Sequence, residues 1–415
     1  MKKIILALFA LSIFPLFAEL HPTRRYVEVG LSVDAMACQN VMPLTEIFKK
    51  NLVIDLRKIY SDMDKNGATF AFCVDDSLYF DVNLEDFRLG FHLATEVSAN
   101  INLSKDLFEV LDGIYPGVLY QGEASVWAES FATFSVPVSV KLDKWRLKLA
   151  PTCFVPFVYV PATTVKGYAM NGVDGSIVAK AQAQLDFYTI GEFKGLVTDG
   201  ELSTDVFKNF EADSILSNIA SSAGFDLSAE VEYQLFDSFD LGGYITAPII
   251  PGHLRHKVST VATASVQTDS LLGSVIDEES PETDAKFGDA YYSSCNYVVN
   301  RPLKFGLECA WRPFGKWLTL RGLAGAALRN PFGGDVTIKS FYPEYKLGID
   351  LEALGMFGLS LYSQYTKKVF AHGLGIMLNF RAVELDVNAA ICSPSFVQSF
   401  KGYGLTAGVG LKFGW

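Results

Sequence analysis

Beyond its N-terminus, the chain lacks any run long enough to cross a membrane as a helix. Such a helix needs roughly 18 uncharged apolar residues, and the longest uncharged run, Leu149 to Val165, is interrupted by Pro151, Pro156 and Pro161. Positive charge is also scarce. Lys+Arg 35 against Asp+Glu 46 leaves a net charge of −11, or −13 once Lys2 and Lys3 are set aside with the leader described below. Partners held through phosphates, nucleic acid first among them, are thereby disfavoured. Catalytic signatures are missing too: there is no GxSxG, HExxH or Walker loop, and no cofactor or enzymatic activity is expected. The six cysteines, Cys38, Cys73, Cys153, Cys295, Cys309 and Cys392, include no CxxC pair. That spacing favours isolated thiols over a metal site, with one bridge as the alternative and Cys295, in a predicted loop, as its member.

What is present is apolar surface without a helix to hold it. Hydrophobic residues make up 50% of the 415 positions and aromatics 13%, and the mean hydropathy is +0.22. The chain is too apolar for disorder. It is therefore either a large β-rich soluble protein or a membrane β-barrel. Met1-Lys2-Lys3, the apolar stretch Ile4 to Phe17 and the small residue Ala18 read as a signal peptide over 1–18. No Cys follows the cut, so a lipid anchor is not expected. The remaining homes are the periplasm and the outer membrane.

Period two organises the rest. Val27, Val29, Leu31, Val33 and Ala35 alternate with Glu28, Gly30, Ser32 and Asp34, as a half-buried strand does. From Phe87 to Asn102 an apolar face (Phe87, Leu89, Phe91, Leu93, Val97, Ala99, Ile101) opposes a polar one that includes Arg88, His92, Glu96, Ser98 and Asn100. That length exceeds the roughly 9–11 residues a tilted strand needs to cross a bilayer. Similar alternation recurs over 123–140, 177–187 and 225–234, and a meander of strands runs from Leu303 to Trp415. With the C-terminus on the periplasmic side, counting back assigns Ser393 to Gly402, Lys367-Lys368, Arg329 to Asp335 and Asp269 to Val299 to the exterior. With Lys367-Lys368 as the one short exception, the longer connections fall outside, as bacterial barrels place them. Aromatics beside the turns (Trp145; Trp311, Phe314 and Trp317; Tyr362 and Tyr365) mark interfacial girdles. Tyr403, Leu405, Ala407, Val409, Leu411, Phe413 and Trp415 share one face. This resembles the last strand of outer-membrane barrels, which presents a terminal aromatic, more often Phe than Trp, to the barrel-assembly machinery; the resemblance implies that role for Phe413 and Trp415. The predicted fold is all-β: a transmembrane antiparallel β-barrel of about 14 strands (12 to 16) occupying 19–415 in contact with outer-membrane lipid.

Helices interrupt this pattern. Leu44 to Lys50 and Leu52 to Met63 are predicted amphipathic helices, with 43–64 a candidate lumenal hatch and a periplasmic or surface excursion as its alternative. Lys105 to Asp112 is another helix, and Ser203 to Ala220 a third helical segment, which the count from the C-terminus places on the periplasmic side. Asp62-Met63-Asp64-Lys65-Asn66-Gly67 matches the opening of a calcium loop, but position twelve is Cys73 where a bidentate Glu belongs. A helix ending at Gly67 accounts for the same residues. His253 and His256 could pair on a metal, but beside the predicted Pro251-Gly252 turn they read as surface residues. Asp277 to Asp289 reads as a solvated external loop.

The leader, the strand and double helix of Tyr26 to Met63, Ser104-Lys105-Asp106-Leu107 after a long strand, and Gly224-Phe225-Asp226-Leu227-Ser228-Ala229 entering another together carry a resemblance. The chain resembles spirochaetal outer-membrane proteins that are similar to the long-chain fatty-acid transporter (FadL-like) superfamily. The resemblance implies a barrel with a lumenal hatch that passes hydrophobic small molecules by diffusion through a gap in its wall. This chain departs by placing a strand-like segment, Tyr26 to Ala35, before the hatch helices. Phe48, Leu56, Ile59, Phe207, Phe210, Leu216 and Ile219 are the candidate channel residues, expected to form an apolar pocket with few polar anchors. The expected function is outer-membrane import of long-chain fatty acids or similar hydrophobic nutrients. The alternatives are a surface-interaction or secretion-associated barrel and, third, a general porin.

Overall fold

The computed structural model describes residues 25–47, 49, 56–63, 65, 67–111, 118–171, 176–192, 197–198, 201–202, 212–268, 282–315, 317–329 and 341–415. The leader 1–18 lies outside them. The strands are β1 (Val27–Gln39), β2 (Ala68–Asn83), β3 (Phe87–Leu103), β4 (Leu119–Ser135), β5 (Val138–Leu142), β6 (Trp145–Asn171) and β7 (Ile177–Thr189). After β8 (Val197–Thr198) and β9 (Glu201–Leu202), which pair only with each other, come β10 (Gly224–Phe236), β11 (Phe239–Ile250), β12 (Gly252–Thr268), β13 (Glu282–Phe287) and β14 (Tyr291–Val299). The meander follows as β15 (Leu303–Trp311), β16 (Leu318–Leu328), β17 (Phe341–Ala353), β18 (Phe357–Thr366), β19 (Val369–Asn379), β20 (Val383–Ser393) and β21 (Gly404–Gly414). Nineteen of these belong to one antiparallel sheet, and β21 pairs with β1 to close it. Closure joins the two ends of the sheet, whose open backbone groups a bilayer could not satisfy.

Several staves of the wall are composite. β4 and β5 share the neighbours β3 and β6; β7 and β10 both lie between β6 and the β11–β12 line; β13, β14 and β15 follow one another beside β12 and β11. The nineteen segments thus make fourteen staves, within the expected range. The helix Ala212–Ser222 belongs to an excursion that leaves one stave after Thr189 and rejoins it at Gly224, so it is not on the periplasmic side. Pro251-Gly252 is not a turn: β11 runs on directly into β12. Asp269 to Val299 is not all external either, because β13 and β14 are wall and Cys295 lies in β14. A sequence count treats each break as a reversal, whereas here the chain resumes in the same direction.

The faces follow the period-two reading. Val29, Leu31, Phe87, Phe91, Leu93, Ile101, Leu405, Val409 and Phe413 are exposed on the outside. Gly30, Ser32, Asp81 and Thr133 are buried on the lumenal side. Trp145, Trp311, Phe314, Trp317, Phe380 and Trp415 stand exposed near the end where the termini meet, as an interfacial girdle. Tyr362 and Tyr403 do not join the outer surface. They are buried, at 7% and 5% exposure, because Tyr362 lines the lumen and Tyr403 precedes the regular part of β21. An apolar exterior around a closed barrel places the protein in the outer membrane. Leu93→Arg, on the lipid face well inside β3, is expected to cost about 2–4 kcal/mol near the midplane. The loss would be read as a smaller heat-modifiable fraction on gels.

Local chemistry explains the turns and irregularities. Leu354 and Gly355 (φ 59 and 66) and Lys367 and Lys368 (φ 51 and 65) take the left-handed geometry of tight hairpins that match strand twist. Pro156 and Pro161 lie at the two register shifts where β4 meets β6, the positions at which a sheet tolerates proline. Gly67, at φ +81, turns the chain from the Leu56–Asp62 helix into β2. A side chain there would strike the backbone of Leu103.

Candidate functional site

Of the predicted helices, the described residues include Leu44–Ile47 and Leu56–Asp62, with Lys105–Leu111 a 3-10 helix. They gather at the end of the barrel away from the termini. The Leu44 N–H donates to Gly402 O at 2.9 Å, Lys105 Nζ donates to Met63 O at 2.9 Å and lies over the Tyr60 ring at 4.8 Å. These contacts build a rim. Ile59 is half-buried in it, and Phe48 lies outside the described residues, as do Phe207 and Phe210. Leu56 and Leu216 fall in helices, but their side chains lie outside the description.

The lumen is charged. A cavity of about 510 Å³ is lined by Asp34, Asp75, Lys148, Glu308, Glu344, Lys346 and Tyr362 among others, and by no described residue of the rim helices. The expected apolar pocket is therefore not this space. Period two predicts such an outcome: every second residue of a lipid-facing strand points inward, and those residues are the polar ones. Toward the chain termini, buried Arg25 meets Glu28 (3.0 Å), Asn379 (3.2 Å) and Glu384 (3.4 Å). Lys412 meets Glu384 (2.7 Å) and Asp386 (3.2 Å).

Among the described residues, three cations reach between staves of the barrel that are not neighbours. Arg301, between β14 and β15, pairs with Asp226 of β10 at 2.9 Å and with Glu96 of β3. Arg329, after β16, lies 3.5 Å from Glu129 of β4 and 3.8 Å from the centre of the Trp127 ring. Lys367, in the β18–β19 turn, contacts Asp75 of β2 at 2.7 Å and the Cys73 thiol at 2.9 Å. Each tie joins staves that are not neighbours in the sheet.

An apolar cluster sits where three neighbouring staves are broken. Phe131, Phe154, Ile190, Leu254 and Val299 are buried together, with Tyr159, Tyr188, Tyr297 and Ile219 packed against them. Tyr188 and Tyr297 stack at 3.8 Å, Tyr159 lies 5.5 Å from Tyr297, and Phe131 meets Phe154 edge-on at 5.9 Å. The Arg301 guanidinium lies 5.7 Å from each of these two Phe rings. Asn218 Nδ2 donates to Ile190 O at 3.0 Å and Arg255 to Ser221 O at 3.0 Å, which pins the Ala212–Ser222 helix over the break. Of the predicted channel residues, the structure brings Ile219 to this cluster.

Beside the cluster the wall has a seam. β6 and β7 pair at Val158 and Tyr159, then again only from Lys166, so 160–165 of β6 make no ladder with β7. Tyr159 and Tyr188 form the lower edge of that gap. Sequence reasoning missed Tyr159, Tyr188, Tyr297, Phe154 and Arg301. The available signals were the three prolines of the uncharged run in β6 and the Asn300-Arg301-Pro302 interruption.

No protein-family model matches this sequence, and no curated protein matches it. Among solved structures, the chain is similar to the toluene transporter TbuX of Ralstonia pickettii (7% identity, 95% of this chain and 90% of that one, TM-score 0.44). It is also similar to the toluene transporter TodX of Pseudomonas putida (10%, 98% and 94%, 0.43). The monoaromatic hydrocarbon channel CymD is a further match (8%, 97% and 94%, 0.45). At this likeness no residue is carried over from them.

Proposed function

We propose that the barrel admits long-chain fatty acids or similar hydrophobic nutrients across the outer membrane by diffusion, without catalysis. The observation that carries this reading is the β6–β7 seam with the aromatic cluster at its lower edge. A greasy molecule in the lumen finds apolar side chains at this level, and beside them a stretch of wall with no hydrogen-bond ladder to break. The cross-lumen ion pairs oppose free passage of water-soluble molecules along the axis. In this reading Leu216, Ile219, Phe207 and Phe210 belong to an apolar mouth, and Phe48, Leu56 and Ile59 to a hatch.

Transfer of each CH₂ from water contributes about 0.8 kcal/mol, so binding should strengthen about fourfold per methylene. In liposomes carrying the protein, uptake should rise with acyl-chain length, and Tyr188→Asp, Ile219→Asp, Phe207→Asp and Phe210→Asp should each reduce uptake of long chains. A protein that neither binds nor passes any long-chain amphiphile would sink the proposal. The charged cavity favours a second reading, a diffusion pore for polar solutes. Free release of small hydrophilic solutes from the same liposomes by the unaltered protein would put that reading first.

A further inference from the structure

Cys38 and Cys392 meet across a strand that separates them. Cys38 of β1 and Cys392 of β20 both pair in register with Gly404 of β21. Two strand spacings, about 9.6 Å, exceed the Cα separation a disulfide bridges, but the wall is pinched here. A Cβ placed on Gly404 would collide with both Cα and Cβ of Cys38, so β1 and β21 press together where the glycine has no side chain. Cys392 Sγ approaches Ala37 O at 3.9 Å, reaching past the intervening strand to the backbone of the residue before Cys38. Both are buried in one apolar cluster with Ala71, Val369, Ala371 and Ala390. Other thiols have different neighbours: Cys73 faces Asp75 and Lys367, and Cys295 donates to Leu254 O at 3.4 Å.

We propose that Cys38 and Cys392 are oxidised to a disulfide in the mature barrel, stapling β20 to β1 over Gly404 at the closure seam. Exported compartments sustain such bonds. One thiolate attacks a disulfide oxidant R–S–S–R, forming a mixed disulfide and releasing one R–SH. The second thiolate then displaces the other R group as R–SH. Two protein thiols lose two electrons and two protons, and the oxidant gains both. The bond ties together the two strands that flank β21, so the first and last parts of the barrel no longer part by unzipping that strand. The proposal is independent of what the barrel carries.

Full-length protein extracted from outer membranes under an alkylating agent, denatured without reductant and alkylated again, provides the test. Four of the six cysteines should be alkylated, and mass spectrometry should recover one peptide pair joining Cys38 to Cys392. Six alkylated cysteines, or a bridge joining any other pair, overturns the proposal. Cys38→Ser and Cys392→Ser should each raise the count to five and remove any effect of reductant on the temperature at which the folded gel band is lost. The mapping on unaltered protein decides the matter even where a variant fails to assemble.

Discussion

Deleting Tyr403 to Trp415 is expected to abolish insertion into the outer membrane. β21 pairs with β1 from Glu28↔Gly414 to Cys38↔Gly404 and with β20 from Val383↔Phe413 to Cys392↔Gly404. Trp415 O accepts from the N–H groups of Tyr26 and Val27. Without β21, two facing edges lose their ladders, and each unpaired backbone group in hydrocarbon costs several kcal/mol. No side-chain contact offsets a loss of that size. Trp415→Asp separates closure from assembly, because the backbone pairs of β21 remain available while the exposed aromatic end is removed. It should cut the yield of heat-modifiable barrel sharply, and Trp415→Phe should restore it. Undiminished folded protein in the membrane fraction of both the deletion and Trp415→Asp would contradict the closed-barrel account.

The second large effect concerns the bore. Replacing Arg301 and Arg329 together by Ala removes two of the three cross-lumen ties. Fully buried pairs lose about 3–5 kcal/mol when one partner is deleted. Here lumenal water can rehydrate Glu96, Asp226 and Glu129, which moves the cost toward the about 1 kcal/mol of exposed pairs. The barrel ladder therefore survives, and the change appears in permeability. Single-channel conductance in planar bilayers should rise several-fold, and passage of small hydrophilic solutes should follow. Arg301→Lys with Arg329→Lys should stay near the unaltered level, since a cation still spans the bore. If the double Ala variant inserts normally and conducts no more than the parent, the ties do not close the lumen.

The sequence by itself determined which residues face lipid and which face the bore. Val29, Leu31, Leu93, Leu405 and Phe413 could be assigned to the outside because alternation is a property of one strand's pleat, set by consecutive residues and independent of its neighbours. The terminal strand and its aromatic end were legible for the same reason. The tertiary structure alone decided which segments share a stave. Thr189 and Gly224 are far apart in sequence, yet they resume one line of the wall because β6 is long enough to pair with β7 above and β10 below. The seam, the aromatic cluster it adjoins and the tie from Arg301 to Glu96, 205 residues away, all depend on that register. Register is a long-range choice made when strands pair, and no local pattern in the chain encodes it.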